Sequence, residues 1–411
     1  VTKIWVLTEL YFPEQTSTGY LLTNTAEGLA EDYEVKVITG PASNFLQSVD
    51  YPCHEFRNNV ELFRCRGTNF EKDWLLGRLI NILTRSLAIF WKALSLCKDE
   101  DVILVVTNPP LLPFIAIFLK LLKGSRCVLL VHDVYPEVLS ATGFVSSSSL
   151  LVKIGQVANS FLYRQADRII SLGRDMTKLI HAKLPEQEKE KVVCIPNWAE
   201  NEIIYPTVRD KNKLIQELGV KERFVILYAG NMGKTHGIEY LAEAAKELTI
   251  ISKDVCWIFL GFGAKKAWLE EYTKSQKLEN ITILSPRPRN EQVIFLNACD
   301  LAVIAFMPGM AGVSVPSRMY NQMAAGKPIV AVADDWSELA EVVREENIGW
   351  VIKPGDIEEL VRTIQFAANN RDLCAEMGMR AAEVARNKYS FAQTNQAYKI
   401  LFKEVLSVSS S

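Results

Sequence analysis

The chain has 411 residues, 49% of them hydrophobic and 23% charged, with a formal net charge of −2. That length exceeds one ordinary core and points to two α/β domains, while the near-neutral balance excludes a general nucleic-acid binder, which needs a basic face. The 8 cysteines show no CxxC pair and the 4 histidines no metal-ligand spacing, so the expectation is a reducing compartment with neither a disulfide framework nor a metal site.

Strand and helix patterns alternate almost throughout, which implies parallel sheets covered by helices on both faces. Strand-like runs fall first at Lys3–Thr8, Glu34–Thr39, Val102–Thr107, Cys127–Val131, Arg168–Leu172 and Val192–Ile195, with helical patterns at Trp74–Cys97 and Leu151–Gln165. The run Ile4 to Leu7 reads as a buried first strand and not as a signal peptide. No run approaches the ~18 uninterrupted apolar residues of a spanning helix. Leu111 to Leu122 is short and broken by Lys120, which suits a buried helix or an interfacial face. The segment Asp73 to Cys97 sets Trp74, Leu76, Leu79, Ile80, Leu83 and Leu87 among Arg78, Arg85 and Lys92. It reads either as a sheet-packed helix with its cations in water or as a basic amphipathic helix on an anionic membrane.

Pro196 to Asp210 carries prolines and polar residues without periodicity and marks a boundary. Beyond it, strands read at Phe224–Ala229, Val255–Gly261, Ile281–Leu284, Leu301–Ala305, Pro328–Ala333 and Gly349–Ile352. The expected division is 1–198, 199–388 and a tail 389–411, whose amphipathic helix Ala392–Val408 packs back toward the first domain.

Ligands of open α/β sheets collect beyond the carboxyl ends of strands, so the strand-end loops hold the candidates. Gly19 closes the first loop, either letting backbone approach a ligand or making a plain turn. His132 and Asp133 follow the strand Cys127–Val131; such a pair orients a hydroxyl or, alternatively, caps the next helix. The loop Gly230 to Gly237, GNMGKTHG, brings Gly230, Asn231 and Gly233 with Lys234 within reach of a phosphate, though it is neither a Walker loop nor a dinucleotide fingerprint. Gly261 and Gly263 bring backbone toward a base or ribose, with Lys265 beside them. From Met307 a Gly-containing loop runs into Ser314, Val315, Pro316 and Ser317, with Ser317 as cap of a helix that Gly326 stops. Free N–H groups at that helix start, with the Arg318 fork, accept a phosphate, and Asn321 lies on the same face. Asp334 and Asp335 read as caps of a helix from Trp336.

Taken together, these pieces resemble the retaining glycosyltransferases of family 4. The resemblance rests on KIWVLTELYFPE (3–14), HDVYPE (132–137), PNW (196–198), YAGNMGKTHG (228–237), LGFG (260–263), VPSR (315–318), MAAGKPIVA (323–331) and IGWVIKPGDIEEL (348–360). It implies the GT-B fold, two Rossmann-like parallel-sheet domains facing a central cleft. The acceptor, a glycan or a polyprenyl-linked sugar, then belongs to the first domain and the nucleotide-sugar donor, a UDP-sugar, to the second. No cofactor and no divalent metal are needed. The branch it most resembles builds bacterial surface polysaccharide, which implies a cytoplasmic enzyme, peripheral on the inner face of the plasma membrane, with no nucleic-acid partner.

Carried over by position, Gly230 to Lys234, Gly261 to Lys265 and Arg287 line the nucleotide, and the N–H groups of Val313 to Ser317 hold the diphosphate beside Arg318. His132 and Asp133 lie at the transferred sugar. The family's two acids, with seven residues between them, fall here on Val313 and Asn321, so Asn321 takes the ribose role. Its basic pair falls on Asn231 and His236, with Lys234 and Arg318 as substitutes. Two other readings are a sugar-nucleotide epimerase of related architecture and a non-catalytic sugar-nucleotide-binding subunit.

Overall fold

A computed structural model describes residues 3–42, 51–70, 75–141, 143, 145–146, 148–252 and 254–407. Asp73, Trp74, Ser147, Val408 and the final serines lie outside the described residues. Two compact units divide the chain: Val1–Val138 with Val145–Pro196 and Thr394–Ser411, and Asn197–Gln393 with Leu139–Phe144.

Up to Cys194 the elements are β1 (Ile4–Thr8), α1 (Ser17–Leu29), β2 (Val35–Thr39), β3 (His54–Arg57), β4 (Val60–Arg64), α2 (Leu75–Leu96), β5 (Val102–Val106), α3 (Leu112–Lys123), β6 (Arg126–Leu130), α4 (Glu137–Ala141), α5 (Leu150–Gln165), β7 (Arg168–Ser171), α6 (Arg174–His181) and β8 (Val192–Cys194). Among the described residues they form one sheet, ordered β3-β4-β2-β1-β5-β6-β7-β8 and parallel except for the β3–β4 hairpin. The central strands are β-branched runs such as VILVV in β5, buried at every position because helices cover both faces. Asp101 ties the start of β5 to β1, accepting from Trp5 Nε1 at 2.8 Å and Lys3 N at 3.1 Å.

Farther along come α7 (Lys213–Leu218), β9 (Phe224–Asn231), α8 (Ile238–Ile251), β10 (Val255–Phe262), α9 (Lys266–Ser275), β11 (Ile281–Leu284), α10 (Gln292–Leu296), β12 (Leu301–Ala305), α11 (Arg318–Ala324), β13 (Ile329–Val332), α12 (Glu338–Glu345), β14 (Gly349–Ile352), α13 (Ile357–Asn369), α14 (Arg371–Lys388) and α15 (Phe391–Ser407). The second sheet is parallel, in the order β11-β10-β9-β12-β13-β14. Phe224, Tyr228, Trp257 and Phe259 fill its core with Ile238, Leu241 and Leu248 of α8. From Thr394 onward α15 belongs to the first unit. There Lys399 pairs with Glu31 and Asp32 at 2.7 Å each, and Thr394 Oγ1 donates to the Pro196 carbonyl.

The hairpin of β3 and β4 is absent from the pattern of strand-like runs. His54–Arg57 is a four-residue edge strand whose side chains are half or wholly exposed, so no apolar run marks it.

Candidate functional site

In the second unit β9 and β10 end side by side, with Gly230 opposite Gly261 and Asn231 opposite Phe262. Their loops interlock: Met232 N donates to the Phe262 carbonyl at 2.6 Å, and Lys265 N to the Met232 carbonyl at 2.9 Å. A Cβ on Gly261 (φ 151°) would lie 1.9 Å from the Gly230 carbonyl oxygen. One on Gly263 (φ 141°) would lie 2.6 Å from that of Met232. Both glycines therefore have a packing reason, the contact between the two loops. Gly233 fits between Asn231 Nδ2 and His236 Nδ1. Lys265 pairs with Glu239 and lies 5.8 Å from the Trp268 ring, while Lys234 is exposed.

Arg318, the first residue of α11, lies over Tyr228, its guanidinium carbon 5.0 Å from the ring centre. A Cβ on Gly230 would come 3.0 Å from Arg318 Nη1, so Gly230 leaves the space that the guanidinium borders. That Nη1 is buried and has no hydrogen-bond partner among the described residues. Beside it, burial and then the Arg318 charge push the His236 imidazole down to about 2, so this ring stays neutral. A buried N–H of a cation without an acceptor is costly, and an anion is the ligand that relieves it.

The loop before α11 is held from below. Asp334 Oδ2 accepts from Gly309 N at 2.9 Å and Ala311 N at 3.1 Å. Asp334 and Asp335 do not cap the next helix: Ser337 Oγ accepts from Ala340 N at 3.2 Å, and Asp335 pairs with Arg344. The two loop N–H groups offer Asp334 a better-paired position than a helix start. Ser317 also departs from expectation. Its backbone is already helical (φ −57°, ψ −24°), where a cap needs an extended one, and its hydroxyl makes no capping bond. Among the described residues the main-chain N–H groups of Val315, Ser317 and Arg318 donate to nothing. Val315 and Pro316 are buried, and Ser314 and Ser317 half-buried.

Asn321, one turn on, is fully engaged. Its Nδ2 donates to Glu200 Oε1 at 2.7 Å and Gln292 Oε1 at 3.2 Å, and its Oδ1 accepts from Glu200 N at 3.0 Å. Arg289 grips the same carboxylate, which is 5% exposed, with Nη2 on Oε1 and Nε on Oε2. Glu200 and Arg289 escape the sequence reading because 89 residues separate them; the acid just after the PNW motif is the signal that could have found Glu200. Arg287, by contrast, makes surface pairs with Glu217 at 3.1 Å and Glu291 at 3.3 Å.

In the first unit the Thr107 hydroxyl accepts from His132 N at 3.0 Å and Asp133 N at 3.2 Å, fixing the loop after β6. His132 Nε2 is buried with no partner among the described residues, and burial pushes the imidazole down to about 4. At neutral pH it is an uncharged hydrogen-bonding group. Farther along this loop Lys183 pairs with Glu137 at 2.6 Å. Gly19 sits within α1, where a Cβ would lie 2.9 Å from Glu14 Cγ, so it makes room for a side chain of its own loop. The structure thus brings Gly230, Gly233, Gly261, Gly263 and Arg318 together, ties Asn321 into an ionic cluster, and turns Lys265 and Arg287 to pairs of their own.

A family model described as glycosyl transferase 4-like domain matches residues 19–198, and one described as glycosyl transferases group 1 matches 210–384. The chain is 29% identical over 371 residues, 89% of each chain, to a Pseudomonas aeruginosa protein named as glycosyltransferase WbjE. It is 25% identical over 380 residues, 89% of this chain and 92% of the relative, to the Escherichia coli K12 protein named as colanic acid biosynthesis glycosyl transferase WcaI. The solved structure of Anabaena Alr3699/HepE in complex with UDP and glucose superposes with a TM-score of 0.74 at 18% identity, covering 98% of this chain and 100% of that one. The fold is GT-B. With both of its halves matched, the chain belongs to the group 1 glycosyl transferases, with a 4-like domain at its N-terminal side.

Proposed function

We propose that the chain moves a sugar, hexosyl or amino-sugar, with retention from a nucleotide-diphosphate donor, a UDP-sugar, to a glycan or polyprenyl-linked acceptor in the synthesis of a surface polysaccharide such as an O-antigen. The observation that carries this reading is the buried, unpartnered Nη1 of Arg318 beside Gly230. The UDP named with the Anabaena structure and the polysaccharide named with the E. coli relative support it. Arg318, with Lys234 and the free N–H groups of Val315 and Ser317, takes the diphosphate, so that these groups and not a bound metal neutralise the leaving group. The departing diphosphate accepts the acceptor's proton. His132, neutral, holds a hydroxyl of the transferred sugar. The acceptor reading places the enzyme in the cytoplasm, peripheral on the inner face of the plasma membrane.

A thermal-shift panel of nucleotide sugars tests the donor, because a ligand that binds only the native state raises the melting temperature. UDP and one UDP-sugar should stabilise the protein, and the stabilising sugar should be transferred. Stabilisation by no member of the panel would end this reading. Interconversion of the sugar nucleotide without acceptor would instead mark an epimerase.

A further inference from the structure

Helices that cover a sheet ordinarily turn their polar side to water. Three helices of the first unit do not. The long α2 adjoins α3, with Phe90 and Phe118 5.7 Å apart, and α3 adjoins α5, where Lys120 Nζ donates to the Gln165 carbonyl at 2.7 Å. Their outward stripes are apolar: Leu83 is 49% exposed, Trp91 64%, Leu121 62%, Ile154 57% and Val157 72%. These side chains recur at helical spacing on neighbouring helices, so they form one patch and not scattered residues.

The charge pattern of these helices names the occupant. In a chain with 48 acids against 46 bases, α2, α3 and α5 hold no Asp or Glu at all. They hold three, two and two cations respectively. Arg85 and Lys120 are paired with Glu9 and Asp167, while Lys153 and Arg164 stand exposed beside the apolar stripe of α5 and Arg78 is exposed in the first turn of α2. An apolar face fringed by cations fits the headgroup region of an anionic bilayer. A second copy of the same face would set these cations against one another. Alone, α2 has the length and mean hydropathy (1.3 over Leu76–Leu96) to cross a membrane. Yet Ile89, Ala93 and Cys97 are buried in the first unit, which keeps α2 lying flat.

We propose that the outward face of α2, α3 and α5 is a docking surface for an anionic lipid bilayer, entered by the apolar side chains and flanked by Lys153 and Arg164, with Arg78 at the start of α2. This deepens the lipid-linked acceptor reading above, since it identifies where the enzyme meets the lipid.

Flotation of the full chain with vesicles tests it, using phosphatidylcholine alone and phosphatidylcholine mixed with phosphatidylglycerol. The protein should float with the mixed vesicles, less at high salt, and only weakly with the neutral ones. Leu83→Asp combined with Val157→Asp should lower the partition coefficient by ~10-fold or more while circular dichroism and melting temperature stay unchanged. Should that variant fold poorly, Lys153→Glu with Arg164→Glu, both exposed, should produce the same loss on the mixed vesicles. Absence of flotation with either vesicle, equal flotation with both, or a salt-independent partition would overturn the proposal. So would a dimer in sedimentation equilibrium that the same substitutions dissolve. Partitioning needs neither donor nor acceptor, so its failure leaves the sugar-transfer reading standing, and failure of that reading leaves the vesicle result intact.

Discussion

The strand-end loops of the two units invite comparison because the sheets beneath them are alike. In the second unit the loops are pinned to one another by glycine contacts, and the Arg318 guanidinium beside Gly230 has an Nη1 without a partner among the described residues. In the first unit the loop after β6 is pinned by one hydroxyl and carries an imidazole kept neutral by burial. The outer helices diverge as well. Those of the second unit mix signs, as in the Lys266–Glu270 and Arg362–Glu359 pairs, whereas α2, α3 and α5 have no acids. One architecture therefore serves two surroundings: charge complementarity for an anion in one unit, uncharged hydrogen bonding and apolar contact in the other.

The largest expected effect concerns the ionic cluster that braces the second unit. Glu200→Ala leaves Arg289 and Asn321 without the carboxylate both hold, and removing one partner of a buried pair costs about 3–5 kcal/mol. Chemical denaturation should show that loss; a midpoint within error of wild type would mean that the cluster is ornamental. Glu200→Gln keeps the shape and should recover part of it.

Next comes Arg318. One charged hydrogen bond is worth ~1.5–3 kcal/mol, so Arg318→Ala should lower turnover roughly 10- to 100-fold and weaken binding of the nucleoside diphosphate. His132→Ala removes a neutral hydrogen bond of about 0.5–1.5 kcal/mol, so turnover should fall only ~3- to 10-fold with diphosphate affinity unchanged. Steady-state kinetics with a UDP-binding titration separates the two. If His132→Ala weakened UDP binding as much as Arg318→Ala, the division between the units would fail.

How much of this was written in the sequence varies with the range of the interaction. Strands buried on both faces, such as VILVV and IVAV, announce themselves because every position must be apolar. The glycine loops and Arg318 are local features and were legible for the same reason, as was the stop at Gly326, whose φ is 68°. What depends on distant partners was not. The Glu200–Arg289 pair, and the grip of Asp334 on Gly309 and Ala311, join segments that no periodicity connects. The edge strand β3 was missed because an exposed strand alternates weakly. The apolar stripe of α2 was visible, but only the packing of α3 and α5 beside it shows that the three make one face.

Acid titration offers the finest comparison between the units, because each keeps one buried histidine neutral. His132 is pushed from 6.5 down to about 4 and His236 to about 2. As pH falls below 6.5 the unfolded chain takes up protons that the folded chain refuses, so the native state loses stability. The contribution of His132 to that loss ends near pH 4, where the folded ring also protonates, whereas that of His236 continues toward pH 2. Denaturation midpoints measured from pH 8 to 4 should fall less steeply in His132→Ala and in His236→Ala than in wild type. Turnover, in turn, should show no inflection from His132 between pH 8 and 5, since the ring does not change charge there. An inflection near 6.5 that His132→Ala removes would mean that this imidazole titrates in contact with water, and that it does not meet the sugar as a neutral group.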